Sequence, residues 1–441
     1  MKVVLALLAV LLFLPAAQSH AIDSNPPLIG VAYARWGVDG CDTTGMGIVA
    51  TYDQPGIRRK VRLQLAAMHA AGLDSLRVMI WHSVQADPFG MVSSQTGRLE
   101  QPYRTNLSRY LTDIRDAGFD SLTVDFGPIG PNDPIGFDPH HDVYEPSLFE
   151  QNWSFIKDVR PLVKTYGPSL TRIDLLSEGA PSDYWPYKDR MKAYITEMYR
   201  RYADTFGTDD VVVSAIAPPD PYADVTQPEG GHRLQNLIDA LRASGRTLPK
   251  AFSVHVSTWW SPSGAYTLYG LRQEDATLTA NGLPQPLIVS ETVYDDREIA
   301  AAIEEFRRTS SRPILEVQEW PLERGSSCRD FSVAPPFRAD AYIEALTGQP
   351  RDKTVSATVS SVGGITLVAP YRRPATALVA DRYALTVSDR SRKLGFRLVG
   401  PRVHLQTGAR STGTVKWSVR LRRGTYAYGA GAKLRYRLVV L

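Results

Sequence analysis

The chain has 441 residues, 43% of them apolar, so it can bury a large core and has room for two domains. Two cysteines are too few for a disulfide-rich scaffold, and no cysteine–histidine spacing typical of zinc sites occurs. The net charge of +4 is unevenly distributed along the chain. Residues 351–441 contain 18 Lys and Arg but 3 Asp and Glu, whereas residues 1–350 contain 32 Lys and Arg and 43 Asp and Glu. This difference predicts two units with different partners.

The first 21 residues have the pattern of a secretory signal peptide. Lys2 precedes an apolar run, and the small residues Ser19 and Ala21 flank His20 at the expected cleavage site. The apolar run is too short to span a bilayer, and no later stretch approaches about 20 apolar residues. The sequence therefore predicts an exported protein, extracellular or periplasmic, without a membrane span.

Residues 22–350 alternate short β-branched runs with amphipathic segments. The predicted strands are LIGVAYARW (28–36), SLRVMIW (75–81), SLTVDFG (121–127), RIDLLSE (172–178), DVVVSAIA (210–217), AFSVHVS (251–257), PLIVSET (286–292) and PILEVQEW (313–320). Between them, apolar residues recur at three- and four-residue spacing, as in 56–72, 107–118 and 295–308. Eight such units predict an α/β fold, a closed (β/α)₈ TIM barrel. The alternative is an open doubly wound sheet, but no glycine-rich phosphate loop follows the first strand.

Polar and aromatic side chains accumulate in or just after the predicted strands. In (β/α)₈ barrels the active site lies at the carboxyl ends of the strands. Flat aromatic rings at that rim can stack on sugar rings. The candidate residues are Trp36, Arg77, Trp81, His82, Asp125, Glu178, His255, Trp259, Glu291 and Trp320.

Glu178 and Glu291 form the best candidate catalytic pair. They end the predicted strands 4 and 7, which lie across a barrel from each other, so their side chains can converge over its mouth. Cleavage of a glycosidic bond with retention needs one carboxyl group as proton donor and one carboxylate as nucleophile. Arg77 would keep the nucleophile ionised. In the alternative interpretation, the glutamates are solvated loop acids and Arg77 pairs with Asp125 for structural reasons.

These residues resemble the motifs of the cellulase-like retaining glycoside hydrolases of clan A, over roughly residues 25–350. The resemblance implies that Glu178 in LLSEG is the acid/base and that Glu291 in IVSET is the nucleophile. It also implies site roles for the strand-2 Arg77, the strand-6 His255 and the strand-8 Trp320.

Two positions depart from that family. Ser177 precedes the acid/base where the family usually has Asn, which binds the sugar 2-hydroxyl group, and Ser257 stands where a Tyr often contacts the nucleophile. Such losses remove hydrogen bonds to the transition state. They favour a competing hypothesis, namely a non-catalytic carbohydrate-binding or adhesion protein on a degenerate barrel.

The two cysteines follow the first and last predicted strands. A closed barrel makes those strands neighbours, so we expect a Cys41–Cys328 disulfide, although two buried thiols are the alternative. His140, His141 and Asp142 are a poor candidate for a metal site, because adjacent histidines in a proline-rich loop are usually exposed. The sequence therefore predicts no metal and no cofactor.

In residues 353–441 apolar and polar residues alternate with a period of two, and turns are closely spaced. This pattern predicts a small antiparallel β-sandwich. The run GTVKWSVRLRRGTYAY resembles cupredoxin-like domains, but one histidine (His404) and no cysteine do not make a copper site. The basic surface predicts an anionic cell-surface polymer as partner; alternatively, it is solvated or packs on the acidic barrel. No nucleic-acid-binding signature is present.

Together these features predict a secreted monomeric glycosidase. A signal peptide (1–21) would precede a catalytic domain (22–350) and a basic β-sandwich (353–441). Its substrate would be a β-linked polysaccharide or oligosaccharide, cleaved by a two-glutamate double displacement.

Overall fold

The computed structural model describes residues 25–34, 47–83, 92–127, 145–181, 188–217, 229–256, 263–320, 338–409 and 412–441. Within this part of the chain, the strands of one large sheet alternate with helices through residue 347, and the short strands His82–Ser83 and Val92–Ser93 form a separate two-stranded sheet. The strands are β1 (Leu28–Ala32), β2 (Ser75–Met79), β3 (Ser121–Asp125), β4 (Leu170–Asp174), β5 (Val211–Val212 and Ser214–Ile216), β6 (Phe252–His255), β7 (Leu287–Thr292) and β8 (Ile314–Glu319). The helices are α1 (Pro55–Ala70), α2 (Tyr103–Ala117), α3 (Pro146–Tyr166), α4 (Lys188–Phe206), α5 (Glu229–Ala243), α6 (Gly264–Ala280), α7 (Arg297–Thr309) and α8 (Asp340–Thr347).

The strands form one parallel sheet that closes through β5. Its order is β5–β4–β3–β2–β1–β8–β7–β6–β5, because Val211–Val212 pairs with β4 while Ser214–Ile216 pairs with β6. The Ser214 hydroxyl, inside this closure, bonds to Asp174 of β4 and lies 3.1 Å from Ser253 Oγ of β6. The prediction of a (β/α)₈ barrel is thus confirmed, and the open sheet is excluded.

Helix α7 illustrates how local sequence builds the outer layer. Asp296 caps it, accepting hydrogen bonds from the backbone N–H groups of Glu298 at 3.0 Å and Ile299 at 3.1 Å. Its apolar residues at three- and four-residue spacing, among them Ile303 and Phe306, are fully buried against the sheet. No helix in the described residues is long and apolar enough to cross a membrane.

The barrel interior contains a buried polar layer beneath the site. Glu316 on β8 accepts hydrogen bonds from Ser75 Oγ at 2.8 Å and Ser121 Oγ at 2.6 Å, and it pairs with Arg172 on β4. Gln318 donates to the Ser75 hydroxyl at 2.7 Å. Because every charge in this layer has a partner, the barrel can fill its centre with polar side chains.

Residues 354–440 form two further sheets that share one apolar core. The strands are β9 (Thr354–Val359), β10 (Ile365–Val368), β11 (Ala377–Leu378), β12 (Arg382–Asp389), β13 (Phe396–Gly400), β14 (Val403–Gln406), β15 (Gly413–Arg420), β16 (Gly424–Ala430) and β17 (Lys433–Val440). The sheet orders are β10–β9–β12–β15 and β11–β17–β16–β13–β14. Leu385 and Val387 of the first sheet meet Phe396 and Leu398 of the second in the core.

The all-β prediction is confirmed, but the prediction of purely antiparallel sheets is wrong in detail. Strand β9 runs parallel to β12, and β11 runs parallel to β17. Residues 360–381 separate β9 from β12, which is long enough for a crossover connection between parallel strands. The resemblance to cupredoxin-like domains stays a prediction.

The β-domain packs on the barrel at α1. Ala377 and Val379 are buried in the apolar core of the barrel, and Ala70 of α1 belongs to the core of the β-domain. An ion pair joins Arg373 Nη2 to Asp74 Oδ1 at 3.1 Å across this junction. The boundaries 22–350 and 353–441 stay predictions.

Candidate active site

Glu178 and Glu291 meet at the carboxyl ends of the strands. A carboxylate oxygen of Glu178 lies within 4.8 Å of a carboxylate oxygen of Glu291. The side chains are 37% and 19% exposed, so both reach solvent at the mouth of the barrel. This spacing resembles the roughly 5–5.5 Å of retaining glycosidases and is shorter than the roughly 6.5–9.5 Å of inverting ones.

The chain delivers Glu178 differently from the sequence-based prediction. Strand β4 ends at Asp174, four residues earlier than expected, because residues 175–179 turn away from the sheet. The Asp174 carboxylate accepts from the Leu176 N–H at 3.3 Å, and Gly179 N–H donates to the Leu176 carbonyl at 3.1 Å. Glu178 has φ 55°, a left-handed conformation that is rare for glutamate. Such backbone strain is typical of functional sites.

Arg77 connects the nucleophile candidate to the barrel interior. Its guanidinium donates to Glu291 Oε2 at 3.2 Å, to Asp125 Oδ2 at 2.7 Å and to Ser177 Oγ at 2.7 Å. Arg77 is 1% exposed, and its pKa is raised because the charges of Asp125 and Glu291 outweigh the effect of burial. The two interpretations of Arg77 are therefore not exclusive, since it contacts both the structural and the candidate catalytic carboxylate.

His255 lies between the two glutamates. Its Nδ1 is 3.0 Å from Glu178 Oε1 and 3.2 Å from Glu291 Oε2. Burial lowers the pKa of His255, but the charge of Glu291 and the hydrogen bond to Glu178 outweigh it and raise the pKa overall. Burial likewise opposes ionisation of Glu178, yet the bond to His255 and the charges of His255 and Arg77 lower its pKa. One imidazole nitrogen, Nδ1 of His255, thus contacts both carboxylates.

Two buried aspartates complete the charge distribution. Asp125 and Asp174 are register partners at the ends of β3 and β4, and both are 0% exposed. Burial raises the pKa of Asp125 to about 7 despite Arg77, and burial also raises the pKa of Asp174. The four carboxylates around Arg77 and His255 outnumber the cations, so the buried aspartates retain protons more readily than an exposed carboxylate.

The same three residues have the spacing of a metal site, which the sequence did not predict. Glu178, His255 and Glu291 each offer one ligand atom within 4.8 Å of the others. A metal-binding histidine must be neutral, however, whereas the two carboxylates raise the pKa of His255. The adjacent Arg77 guanidinium also repels a cation. These charges favour a proton over a metal ion between the glutamates.

Two of the aromatic candidates, Trp81 and Trp320, share a small apolar cluster. Trp81 is 6% exposed and packs with Met79, and the half-buried Trp320 packs against the same cluster. His82 is buried and stacks on Phe155, with ring centroids 4.6 Å apart, and burial lowers its pKa to about 4. A substrate-binding role for these three residues stays a prediction.

Several candidates lie outside the described residues. They are Trp36, Trp259, Ser257, the cysteines Cys41 and Cys328, and the histidines His140 and His141. The proposed disulfide and the aromatic stacking at Trp36 and Trp259 therefore stay predictions.

Sequence reasoning missed Asp174, Ser214 and Arg233. Asp174 bonds to Ser214, and the charge of Arg233 on α5 contributes to lowering the pKa of Glu178. Asp174 had a detectable signal, because an acid inside the apolar run IDLL occupies the same position in its strand as Asp125 in SLTVD. The sequence gives no such signal for Arg233, because an arginine in a helix is usually exposed to solvent.

Comparison with known proteins gives structural likeness only. No protein-family model matches the sequence, and no curated protein matches it. Solved structures similar to this chain include GH5_18 from Streptomyces cattleya in complex with GlcNAc, with 14% identity over 76% of this chain and 85% of that chain and a TM-score of 0.46. The catalytic domain of GH30 xylanase C from Talaromyces cellulolyticus has 13% identity over 94% and 95%, with a TM-score of 0.38.

A 2-naphthoyl-CoA reductase is also among the similar structures, with 10% identity over 74% of this chain and 50% of that chain and a TM-score of 0.46. Glycosidases and a reductase thus score alike. At such identities and TM-scores the likeness assigns no activity, and the functional argument rests on the site itself.

Proposed function

We propose that the protein is a secreted retaining glycoside hydrolase that cleaves a β-linked polysaccharide or oligosaccharide. The observation that carries this proposal is the pair Glu178 and Glu291, with carboxylate oxygens within 4.8 Å and Arg77 bonded to Glu291. A carboxylate that accepts a hydrogen bond from a buried guanidinium is held in a fixed orientation for attack on the anomeric carbon. A neighbouring carboxyl group with a nearby proton source is suited to be the acid.

In the first step, a Glu291 oxygen attacks the anomeric carbon while the glycosidic C–O bond breaks. Glu178 gives its proton to the leaving oxygen, so the first product departs as an alcohol. In the second step, the Glu178 carboxylate takes a proton from water, and the water oxygen attacks the same carbon. Glu291 is released as a carboxylate, and the two inversions give net retention.

The proton for Glu178 would come from His255. In the free protein the raised pKa of His255 and the lowered pKa of Glu178 favour the imidazole side of their 3.0 Å contact as the position of the proton. A bound sugar excludes water from the site, and desolvation favours the neutral pair over the ion pair. The proton therefore moves to Glu178 when substrate is in place.

Replacing His255 should change the pH dependence of catalysis. In His255→Gln the pKa of Glu178 should rise, because the hydrogen bond and the charge that lower it are gone, while Arg77 and Arg233 remain. In wild type the catalytic proton is lost as the pH rises through the raised pKa of His255, whereas in the variant only a carboxyl group can hold it, so the alkaline limb of kcat/KM should move to lower pH. A pH series on wild type and variant measures this, with the exposed His404→Gln as control. An unmoved limb would remove His255 from proton supply.

The proposed activity is tested directly by hydrolysis of a polysaccharide panel. We expect turnover of at least one of β-glucan, mannan, xylan, galactan or a uronate-containing polymer, and the newly released sugar should have the β-configuration when observed by NMR before mutarotation. An α-configured product would contradict the retaining mechanism. No turnover, together with saturable binding of one polymer, would favour the competing non-catalytic carbohydrate-binding protein, which the replacement of the family's Asn by Ser177 already supports.

The remaining features belong to the same proposal. Residues 1–21 would direct export, 22–350 would form the catalytic domain, and 353–441 would form the basic, cupredoxin-like domain. The exported protein would be a monomer with a Cys41–Cys328 disulfide and would need no cofactor. Residues 351–441 contain 18 basic and 3 acidic residues, which favours an anionic polymer as the partner of this domain.

A further inference from the structure

A cleft of about 720 Å³ opens between the β-domain and the start of α8. Its lining contains a single acid, Asp381, and six cations: Arg338, Lys353, Arg382, Arg420, Arg422 and Arg423. We refer to it as the basic cleft. Arg338 pairs with Asp340 at 3.3 Å and Lys353 pairs with Asp381, so the positive charge of the cleft comes mainly from its other four arginines.

The single acid does not neutralise the cleft. Asp381 already pairs with Arg351 and with Lys353 Nζ at 2.9 Å, and it accepts from the backbone N–H of Arg382 at 2.6 Å. Among the described residues, Arg382, Arg420, Arg422 and Arg423 form no ion pair with a carboxylate, and all four are exposed. Their guanidinium groups therefore have unused hydrogen-bond donors facing open space.

The geometry of the sheet makes this concentration of charge costly. Arg382 on β12 and Arg420 on β15 are direct cross-strand partners in the antiparallel pair. Like charges directly opposite each other destabilise a sheet. Farther along the same face, Ala384 lies opposite Ser418 and Thr386 opposite Lys416, so Arg382 and Arg420 are the position of this face where two cations oppose each other. An arrangement that is unfavourable in the free protein becomes favourable when an anion lies between the two arginines.

The basic cleft lies next to the strand ends that carry the candidate nucleophile. Arg338 is 3.8 Å from Asp295, and the Asp295 N–H donates to Glu319 Oε2 at 2.8 Å. Glu319 is the register partner of Thr292, the residue after Glu291. A short series of contacts thus runs from Arg338 at the cleft to β7, the strand that carries Glu291.

We propose that the substrate is an acidic polysaccharide with carboxylate-bearing sugars, and that the basic cleft binds units of it distant from the cleaved bond. The inference rests on the proposed glycoside hydrolase activity and specifies its substrate class. Arginine binds carboxylates through two parallel hydrogen bonds, which fits uronate units better than neutral sugars. Binding energy from distant units holds the chain in position over Glu178 and Glu291.

The test compares two variants that each remove two arginines of the same domain. Arg382→Ala/Arg420→Ala removes the opposed pair in the basic cleft, whereas Arg435→Ala/Arg437→Ala removes two exposed arginines of β17 in the other sheet. Binding of the full chain to alginate, to polygalacturonate and to neutral glucomannan is measured at rising NaCl concentration. A Glu291→Gln background prevents turnover during the measurement.

We expect the cleft variant to bind the two polyuronates about tenfold more weakly than the Glu291→Gln parent, and the β17 variant to differ by less than twofold. Added salt should weaken the parent's polyuronate binding and leave glucomannan binding unchanged. Equal losses in both double variants, or no loss in either, would overturn the proposal. So would single-stranded DNA that displaces the polyuronates at equal charge concentration, since the cleft would then be a nucleic-acid surface.

The two proposals fail in different ways. Loss of polyuronate binding in the cleft variant, with no hydrolysis of any polymer by the wild type, would support the basic cleft and contradict the hydrolase. Hydrolysis of a neutral polymer by a protein that neither binds nor cleaves polyuronates would support the hydrolase and contradict the acidic substrate.

Discussion

Glu291→Ala is expected to lower kcat for hydrolysis by roughly 10⁴-fold or more, because the substitution removes the carboxylate that would form the glycosyl-enzyme intermediate. Loss of the Glu291 carboxylate leaves a space next to Arg77 and His255, and a small anion can occupy it. Sodium azide should therefore restore part of the rate on an activated aryl glycoside of the sugar that the panel identifies. The measurement is the rate together with the anomeric configuration of the product.

The configuration distinguishes the two glutamates. In Glu291→Ala, azide attacks the anomeric carbon once, so the glycosyl azide has inverted configuration. In Glu178→Ala, the glycosyl-enzyme still forms from an activated substrate and azide attacks it, so two inversions give a retained product. Exposed Glu344→Ala on α8 should keep wild-type activity and control for loss of a carboxylate. If Glu291→Ala gave the retained azide product and Glu178→Ala the inverted one, the roles of nucleophile and acid/base would be exchanged. If Glu291→Ala hydrolysed substrate at the wild-type rate, Glu291 would have no part in the mechanism.

Arg77→Met is expected to lower the free energy of unfolding by about 3–5 kcal/mol, because it leaves the fully buried Asp125 carboxylate without its 2.7 Å partner. It should also abolish most activity, because Glu291 loses its guanidinium donor. Denaturant unfolding and kcat measure the two effects separately. The exposed Arg272→Met on α6, whose partner is Glu305 at the surface, should change stability by less than about 0.5 kcal/mol.

A double variant separates the structural role of Arg77 from its positioning role. In Arg77→Met/Asp125→Asn no lone buried charge remains, so much of the lost stability should return. Activity should stay low, because the second substitution does nothing for Glu291. If activity returned together with stability, Arg77 would only support the fold. If neither single nor double variant changed stability, the pair Arg77–Asp125 would not hold β2 and β3 in place.

The sequence was most informative where the determinants are local. Alternation of β-branched runs with three- and four-residue periodicity indicated eight strand–helix units, and the strands at Ser75–Met79 and Ser121–Asp125 lie where the pattern placed them. It was less informative at the end of β4, because the apolar run continues to Leu176 while the backbone has already turned. A turn held by the Asp174 side chain leaves little trace in hydrophobicity.

The residue types of the site were also predictable, because a buried arginine and acids at strand ends are unusual choices for such positions. Glu178, Glu291, Arg77 and His255 were proposed as site residues from the sequence alone, and Glu291 or Asp125 was expected as the partner of Arg77. The contact of His255 with Glu178 was not expected. The contact of Arg77 with Glu291 spans 214 residues and that of His255 with Glu178 spans 77, and no local pattern contains such pairings.

The sequence by itself determined the alternating α/β architecture, the all-β tail, the uneven charge and the chemical groups at the strand ends. Only the tertiary structure decided that the sheet closes through β5, that one imidazole lies between both glutamates, and that Arg382 lies directly opposite Arg420 on a paired strand. Local propensity and periodicity depend on neighbours within a few residues. Charge compensation in a buried site depends instead on strand register and barrel closure, which fix distances between residues far apart in the chain.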